Sequence, residues 1–164
     1  MRAASRGDSY AAVSVILDCA SGRCRVLLVK RVENSRDPWS GDWALPGGRM
    51  EPEDSDLRAT SVRETLEETG IDLRSSAEFM FELDFFSPTN APWMRVKPFV
   101  YRLLRPVEVR LSEELVRYEW AYLDELREST DEAGRPEFRL AGGERIWGMT
   151  ARILVATKER LGLR

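Results

Sequence analysis

The chain has 164 residues, 43% apolar and 32% charged, with a formal net charge of -3 and no histidine. That length suits one domain with its own core, and no apolar run approaches the roughly 18 to 20 residues of a membrane span. Without histidine, the Ser-His-Asp and Cys-His machineries and His-bearing zinc sites are excluded in their standard form, two cysteines are too few for an all-thiolate zinc site, and acid–base work near neutral pH falls to carboxylates. The absence of a basic run argues against nucleic acid as a partner. Residues 1–9 hold two arginines and no apolar segment, so they read as a flexible tail before a single domain at 10–164, with the cytoplasm as the expected compartment.

Residues 10–17 and 25–30, rich in Val, Ile and Leu, predict two central strands with Ser21-Gly22 as their hairpin turn. Cys19 and Cys24 flank that turn, and two half-buried free thiols are the expected state in a cytosolic chain. Residues 32–42 carry Asn34, Asp37, Pro38, Ser40 and Gly41 and read as a loop leading to a short strand at 43–45. Pro46, Gly47 and Gly48 break that strand, and glycine lets backbone groups approach an ion or phosphate closely. A helix follows, opening at Asp54 or Ser55, both good N-caps, and closing at Gly70. Further strands are expected at 78–86, 96–104 and 118–123, a polar loop at 125–136, and a hairpin of 138–140 with 145–147 across Gly142-Gly143. Ile146, Met149, Ile153, Thr157 and Leu161 recur at helical spacing, which predicts a packed helix at 148–161. Elements in this order predict an α/β fold in which a mixed β-sheet is sandwiched between α-helices.

The helix before Gly70 carries the chemistry. At about 100° per residue, Ala59, Val62, Thr65, Leu66 and Thr69 gather on one face, which packs, while Glu64, Glu67 and Glu68 fall on the opposite face with Arg63 at its border. Glutamates at such spacing repel by a few tenths of a kcal/mol per pair. A hard divalent cation offsets that repulsion, because Mg²⁺ or Mn²⁺ takes oxygen ligands and shares its shell with water and substrate phosphate.

The segment GGRMEPEDSDLRATSVRETLEETGI resembles the Nudix box, G-x5-E-x7-R-E-U-x-E-E-x-G-U with U a bulky aliphatic residue: Gly48, Arg63, Glu64, Glu67, Glu68, Gly70 and Ile71 stand in order. Asp54 replaces the first glutamate, Thr65 sits at the first U, and eight residues rather than seven separate Asp54 from Arg63. The resemblance implies the Nudix fold and hydrolysis of a diphosphate joining a nucleoside to a second group. Glu64, Glu67 and Glu68 would ligate Mg²⁺ or Mn²⁺, with the Gly47 carbonyl as a further ligand. Glu64 would orient or deprotonate the water, and Arg63 would hold the glutamates in place. Asp54 is either the partner of Arg63 or a plain helix cap. Family members often add a carboxylate from outside the box; Glu114 is the candidate, with Glu113 and Glu119 as rivals.

Upstream, LLVKRVENSRDPWSGDWALPGG resembles the signature of the coenzyme A diphosphatase branch at Leu27, Leu28, Arg36, Gly41 and Pro46, and residues 146–154, Ile-Trp-Gly-Met-Thr-Ala-Arg-Ile-Leu, resemble a stretch of the same branch. This implies coenzyme A or an acyl derivative as substrate, giving 3′,5′-ADP and 4′-phosphopantetheine. Arg31 and Arg36 would reach a substrate phosphate bidentately, with solvated surface arginines as the alternative, and Gly48 would let that phosphate approach. Trp39, Trp43, Phe85, Phe86 and Trp93 are candidates to stack on adenine or to line an acyl-pantetheine site, with core packing as the alternative. ADP-ribose, a dinucleotide or a nucleoside triphosphate is the second substrate reading, and a catalytically silent nucleotide-sensing domain the second functional class. A homodimer is expected by analogy alone.

Overall fold

The computed structural model describes residues 9–33 and 42–163. Arg36, Trp39 and Gly41, like the rest of residues 34–41, lie outside the described residues. Strand β1 (Ser9–Asp18) and strand β2 (Arg25–Arg31) are joined by the expected hairpin but pair only at its closed end, through Leu17 with Val26 and Asp18 with Arg25. Beyond that point the two strands diverge. Strand β3 (Trp43–Ala44) pairs with β2 and strand β4 (Gly47–Arg49) with β1, so both occupy the fork.

The outer edge of β1 runs parallel to β6 (Met94–Leu103) over nine residue pairs, and β5 (Ala77–Glu82) pairs antiparallel with β6. On the other side β2 pairs antiparallel with β7 (Leu115–Tyr122), giving a mixed seven-stranded sheet. A second sheet, β10-β9-β8, consists of β8 (Arg127–Thr130), β9 (Pro136–Arg139) and β10 (Arg145–Ile146).

Alternation along the central strands sends one set of side chains to each face of the sheet. Ala12, Ile16, Leu27 and Val29 pack with Ile71 and Leu73 under helix α1 (Leu57–Thr69) and the short helix α2 (Leu73–Ser76). Val15, Leu17, Val26 and Leu28 pack with Phe138, Ile146, Ile153 and Leu154 of the small sheet and helix α3 (Gly148–Arg160). Both faces are covered, which is the expected sandwich. No helix among the described residues is long and apolar enough to cross a membrane.

Several expectations need correction. Ser9, assigned to the tail, opens β1 and donates its N–H to the Trp93 carbonyl. Residues 47–49 form a strand, not a turn, because β1 leaves an edge free where β2 departs. Cys19 and Cys24 are a disulfide, not two thiols: the hairpin brings their Cα atoms to 4.1 Å, within bonding reach. The segment at 78–86 is a strand only to Glu82, with one further bridge at Phe86. Within the polar stretch 125–136, the backbone of β8 is paired by β9 although all four of its side chains are exposed. No apolar alternation marks a strand whose side chains bury nothing.

Helix α1 is capped one to two residues later than expected. Asp56 is its N-cap, accepting from the Ala59 N–H at 2.7 Å, and Gly70 closes it in the left-handed conformation at φ 73°. Its phase also differs: Leu66 is 47% exposed, whereas Thr60, Ser61, Thr65, Glu68 and Thr69 face the sheet. The sheet offers hydroxyls there. Thr65 Oγ1 donates to Ser14 Oγ at 2.7 Å, Ser14 donates to the Ser61 carbonyl, and the Ser61 and Tyr101 hydroxyls lie 2.6 Å apart. A polar interface held by hydrogen bonds, not an aliphatic stripe, sets the rotation of the helix.

Candidate functional site

The backbone of β4 is the floor of the site. Gly47 and Gly48 lie opposite Val13 and Ala12, and neither has a positive φ. Glycine is needed for close approach instead: a Cβ on Gly47 would stand 2.2 Å from the Ala12 carbonyl oxygen, and one on Gly48 2.5 Å from the carboxyl carbon of Glu64. The Gly47 amide favours the charged form of the Glu68 carboxylate. Two acidic side chains of α1 are therefore seated on two successive glycines.

Arg63 organises the acids around it. Its Nε and Nη2 meet Asp54 Oδ1 and Oδ2 at 2.8 and 2.9 Å, the parallel fork that suits guanidinium and carboxylate. Nη1 donates to Glu64 at 2.9 Å and to both Glu67 oxygens at 3.2 and 3.3 Å, and Nη2 also reaches the Arg49 carbonyl at 3.1 Å. Asp54 additionally accepts from the Thr60 hydroxyl and the Glu51 N–H. Arg63 above all holds the Asp54 carboxyl well below the usual carboxylate range. Of the two roles the sequence left to Asp54, it takes the arginine; Asp56 takes the cap.

The buried glutamates behave in the opposite way. Glu68 is 5% exposed, and its carboxyl is pushed up to about 8, first by burial and next by the charge on Glu64, with Glu114 adding to the push and Arg31 and the Gly47 N–H opposing it. Burial also raises Glu64, against the bond from Arg63. These effects bring Glu64, Glu68, Glu114 and Arg31 into one electrostatic neighbourhood drawn from α1, the segment before β7 and the end of β2. The backbone agrees, since Val32, next to Arg31, donates its N–H to the Glu114 carbonyl at 2.9 Å. Glu119, by contrast, lies in β7 opposite Leu28 and faces Arg117.

Glu67 stands apart. It is exposed and turned toward Arg63, and among the described residues no three acidic or thiol side chains are set to share a metal ion. The donor chemistry nonetheless fits Mg²⁺ or Mn²⁺: Glu64 and Glu68 offer oxygen ligands only, and a hard cation would offset the burial, and after it the repulsion from Glu64, that disfavour the charged form of Glu68.

Beside this cluster opens a cleft of about 560 Å³. Gly47, Gly48 and Arg49 line one wall, Arg31 and Trp43 another, and Trp147, Gly148 and Thr150 at the start of α3 a third. Of the proposed stacking aromatics, Trp43 lines it; Phe85 packs edge-on against Tyr10, and Phe86 lies under Arg152. Trp147 and Thr150 were not singled out as site residues. Their signal was the Trp-Gly-Met-Thr stretch itself, which periodicity reads only as the beginning of a helix.

Comparison with known proteins gives a family-model match, described as "NUDIX domain", over residues 9–140. The bis(5′-nucleosyl)-tetraphosphatase [asymmetrical] of Sus scrofa is 41% identical over 90 residues, covering 51% of this chain and 57% of that protein. The chain spans between 30% and 57% of the length of five curated relatives that it matches. Among solved structures, the C. elegans Ap4A hydrolase binary complex aligns with a TM-score of 0.59 at 25% identity, covering 70% of this chain and 80% of that one. The NUDIX domain of Shewanella oneidensis NrtR, complexed with ADP ribose, aligns with a TM-score of 0.65 over 98% of this chain and 93% of that one; at 17% identity the likeness is one of fold alone.

Proposed function

Because this chain belongs to the Nudix family, we propose that it hydrolyses the diphosphate bond of a nucleoside diphosphate linked to another moiety, in a reaction dependent on Mg²⁺ or Mn²⁺. The supporting observation is the seating of Glu64 and Glu68 against Gly47 and Gly48 at the edge of the cleft, beside Arg31 and Glu114. Glu64, Glu67 and Glu68, with the Gly47 carbonyl, would hold the cation, and Glu114, whose charge acts on Glu68, would be the carboxylate from outside the box. A bound cation neutralises phosphate oxygens and lowers the pKa of its water.

The protein's own contribution is position and charge. Arg63 keeps Glu64 oriented through a 2.9 Å hydrogen bond and is itself anchored by Asp54, which makes it a positioning residue. Glu64 orients or deprotonates the attacking water. Gly48 lets a substrate phosphate approach the backbone of β4, and Arg31 with Arg36 neutralises it. The reacting unit is a single domain that opens with β1 at Ser9, cytoplasmic, acting on a small-molecule nucleotide with no role for nucleic acid or a membrane, and a homodimer is the expected assembly.

Coenzyme A or an acyl-coenzyme A is the leading substrate, supported by the Leu27 to Pro46 and Ile146 to Leu154 resemblances. A second reading, a dinucleoside polyphosphate, is favoured by the relatives that carry the name bis(5′-nucleosyl)-tetraphosphatase. The test is kcat/KM, with Mg²⁺ and with Mn²⁺, on coenzyme A, diadenosine tetraphosphate, ADP-ribose, NADH and nucleoside triphosphates. Highest efficiency on coenzyme A is expected. Efficient cleavage of the tetraphosphate without coenzyme A cleavage moves the assignment to the second reading, and no turnover on any substrate leaves a nucleotide-sensing domain.

A further inference from the structure

A second cavity, of about 510 Å³, opens at the outer edge of the main sheet and shares no lining residue with the cleft. Strand β5 forms that edge, since among the described residues it pairs with β6 alone. Phe79 and Phe81 of β5 and Phe99 of β6 give the cavity three rings. Arg58 from the first turn of α1, Lys97 of β6 and Arg160 at the end of α3 bring it three cations. Helices on opposite faces of the sheet thus send a guanidinium to the same edge.

The cations sit on rings, not on acids. The Arg58 guanidinium lies 4.1 Å from the Phe79 ring centroid and that of Arg160 4.6 Å from Phe81, while the Lys97 ammonium stands 4.6 Å from Phe85. Among the described residues no carboxylate forms an ion pair with any of the three, and Lys97, although half-buried, makes no hydrogen bond. Asp56 and Glu82 also line the cavity, but Asp56 is committed to the cap of α1 through the 2.7 Å bond from the Ala59 N–H.

A half-buried ammonium without an acceptor calls for an anion. A guanidinium stacked on a ring offers its outer face to a further flat ring and its N–H edge to phosphate oxygens, and stacking of this kind accepts any nucleobase. Three cations against two carboxylates suit one phosphate and not a chain of them. An aliphatic anion fits less well, because charged groups cover the rings its chain would need. The volume falls within the roughly 300 to 1,000 Å³ of small-molecule sites.

We propose that this edge cavity binds a nucleoside monophosphate, its base against the Arg58–Phe79 and Arg160–Phe81 stacks and its phosphate on the Lys97 ammonium. The site goes beyond the diphosphate-hydrolase reading and does not need it. Cleavage of a nucleoside diphosphate linkage releases a nucleoside phosphate, so the ligand's class is one that the reaction itself would supply.

AMP, adenosine and inorganic phosphate are titrated into the full chain without divalent cations, with backbone amide resonances as the readout. AMP should move the Phe79, Phe81, Lys97 and Phe99 amides to saturation, with a Kd about tenfold or more below those of adenosine and inorganic phosphate. Shifts at Gly47, Gly48 and Gly148 report the cleft and are followed separately. Lys97→Met should raise the edge Kd for AMP about tenfold, the loss of one hydrogen bond to a charged group, and leave the cleft shifts and turnover as in the wild type. Adenosine or inorganic phosphate binding as tightly as AMP, no saturable shift at the edge, or a folded Lys97→Met variant that binds as wild type overturns the proposal. Should that variant fail to fold, Arg160→Gln, at the exposed end of α3, takes its place with the same expectation. The hydrolase reading fails separately, by absence of turnover with Mg²⁺ or Mn²⁺ whatever the edge binds.

Discussion

Glu68 concentrates the site's physical tension in one carboxyl. It is buried beside Gly47, close enough to Glu64 for the two charges to oppose each other, and burial above all pushes its carboxyl up to about 8. A cation must displace the carboxyl's proton. Mn²⁺ affinity should therefore rise with pH, by up to tenfold per unit, and level off above about 8; calorimetric titrations at pH 6, 7, 8 and 9 would read it. A flat profile would remove Glu68 from the ligand set. Glu68→Gln should lower kcat by roughly a hundredfold or more while the thermal midpoint holds or rises, because burial already disfavours the charged form. Near-normal turnover, or a large fall in the midpoint, would make Glu68 structural.

At the scale of elements, the rotation of α1 decides which carboxylates reach β4. Apolar residues do not set it, since Leu66 points to solvent while Thr65 is fully buried. The hydroxyl relay from Thr65 to Ser14 to the Ser61 carbonyl replaces the aliphatic contact that the Nudix pattern leads one to expect at Thr65. Thr65→Val keeps the volume and removes the donor. It should cost about 1 kcal/mol, seen in urea unfolding as a lower midpoint with an unchanged m-value. A neutral outcome would mean that shape alone fixes the helix.

For the whole molecule, the important joint is between the two sheets. Glu144, in the turn between β9 and β10, accepts from Lys30 at 2.7 Å and Trp43 at 3.0 Å through one oxygen and from Arg117 at 2.9 Å through the other. It thereby ties the small sheet to β2, β3 and β7 and fixes Trp43, a wall of the cleft. Lys30 first, then Trp43 and Arg117, hold its carboxyl at about 2, below its ordinary 4.5. A depressed carboxylate contributes stability that is fully present above the unfolded value and lost as pH falls through the folded one. Stability should thus decline between about pH 4.5 and 2, and Glu144→Gln should flatten that part of the profile in denaturant midpoints measured across it. An unaltered slope would show that the joint does not depend on this charge.

Much of this was legible in the residues themselves. The order of the main strands with α1 and α3, the Gly70 stop, the two central strands and the grouping of Arg63 with Glu64, Glu67 and Glu68 follow from periodicity, glycine and charge spacing, which are local properties of the chain, whereas β4, β8 and α2 do not. The tertiary structure decided what depends on partners distant in sequence. It made a strand of Gly47 to Arg49, because β1 and β2 part and leave an edge to fill. It turned α1 so that Glu68 is buried and Leu66 is not, because the sheet beneath carries hydroxyls; it gave Asp54 to Arg63 and the cap to Asp56. It also joined Cys19 to Cys24 and set Thr150 in the wall of a cleft that begins over a hundred residues earlier in the chain. Local energies choose helix, strand or turn, but which face is buried depends on the surface that the rest of the fold presents to it.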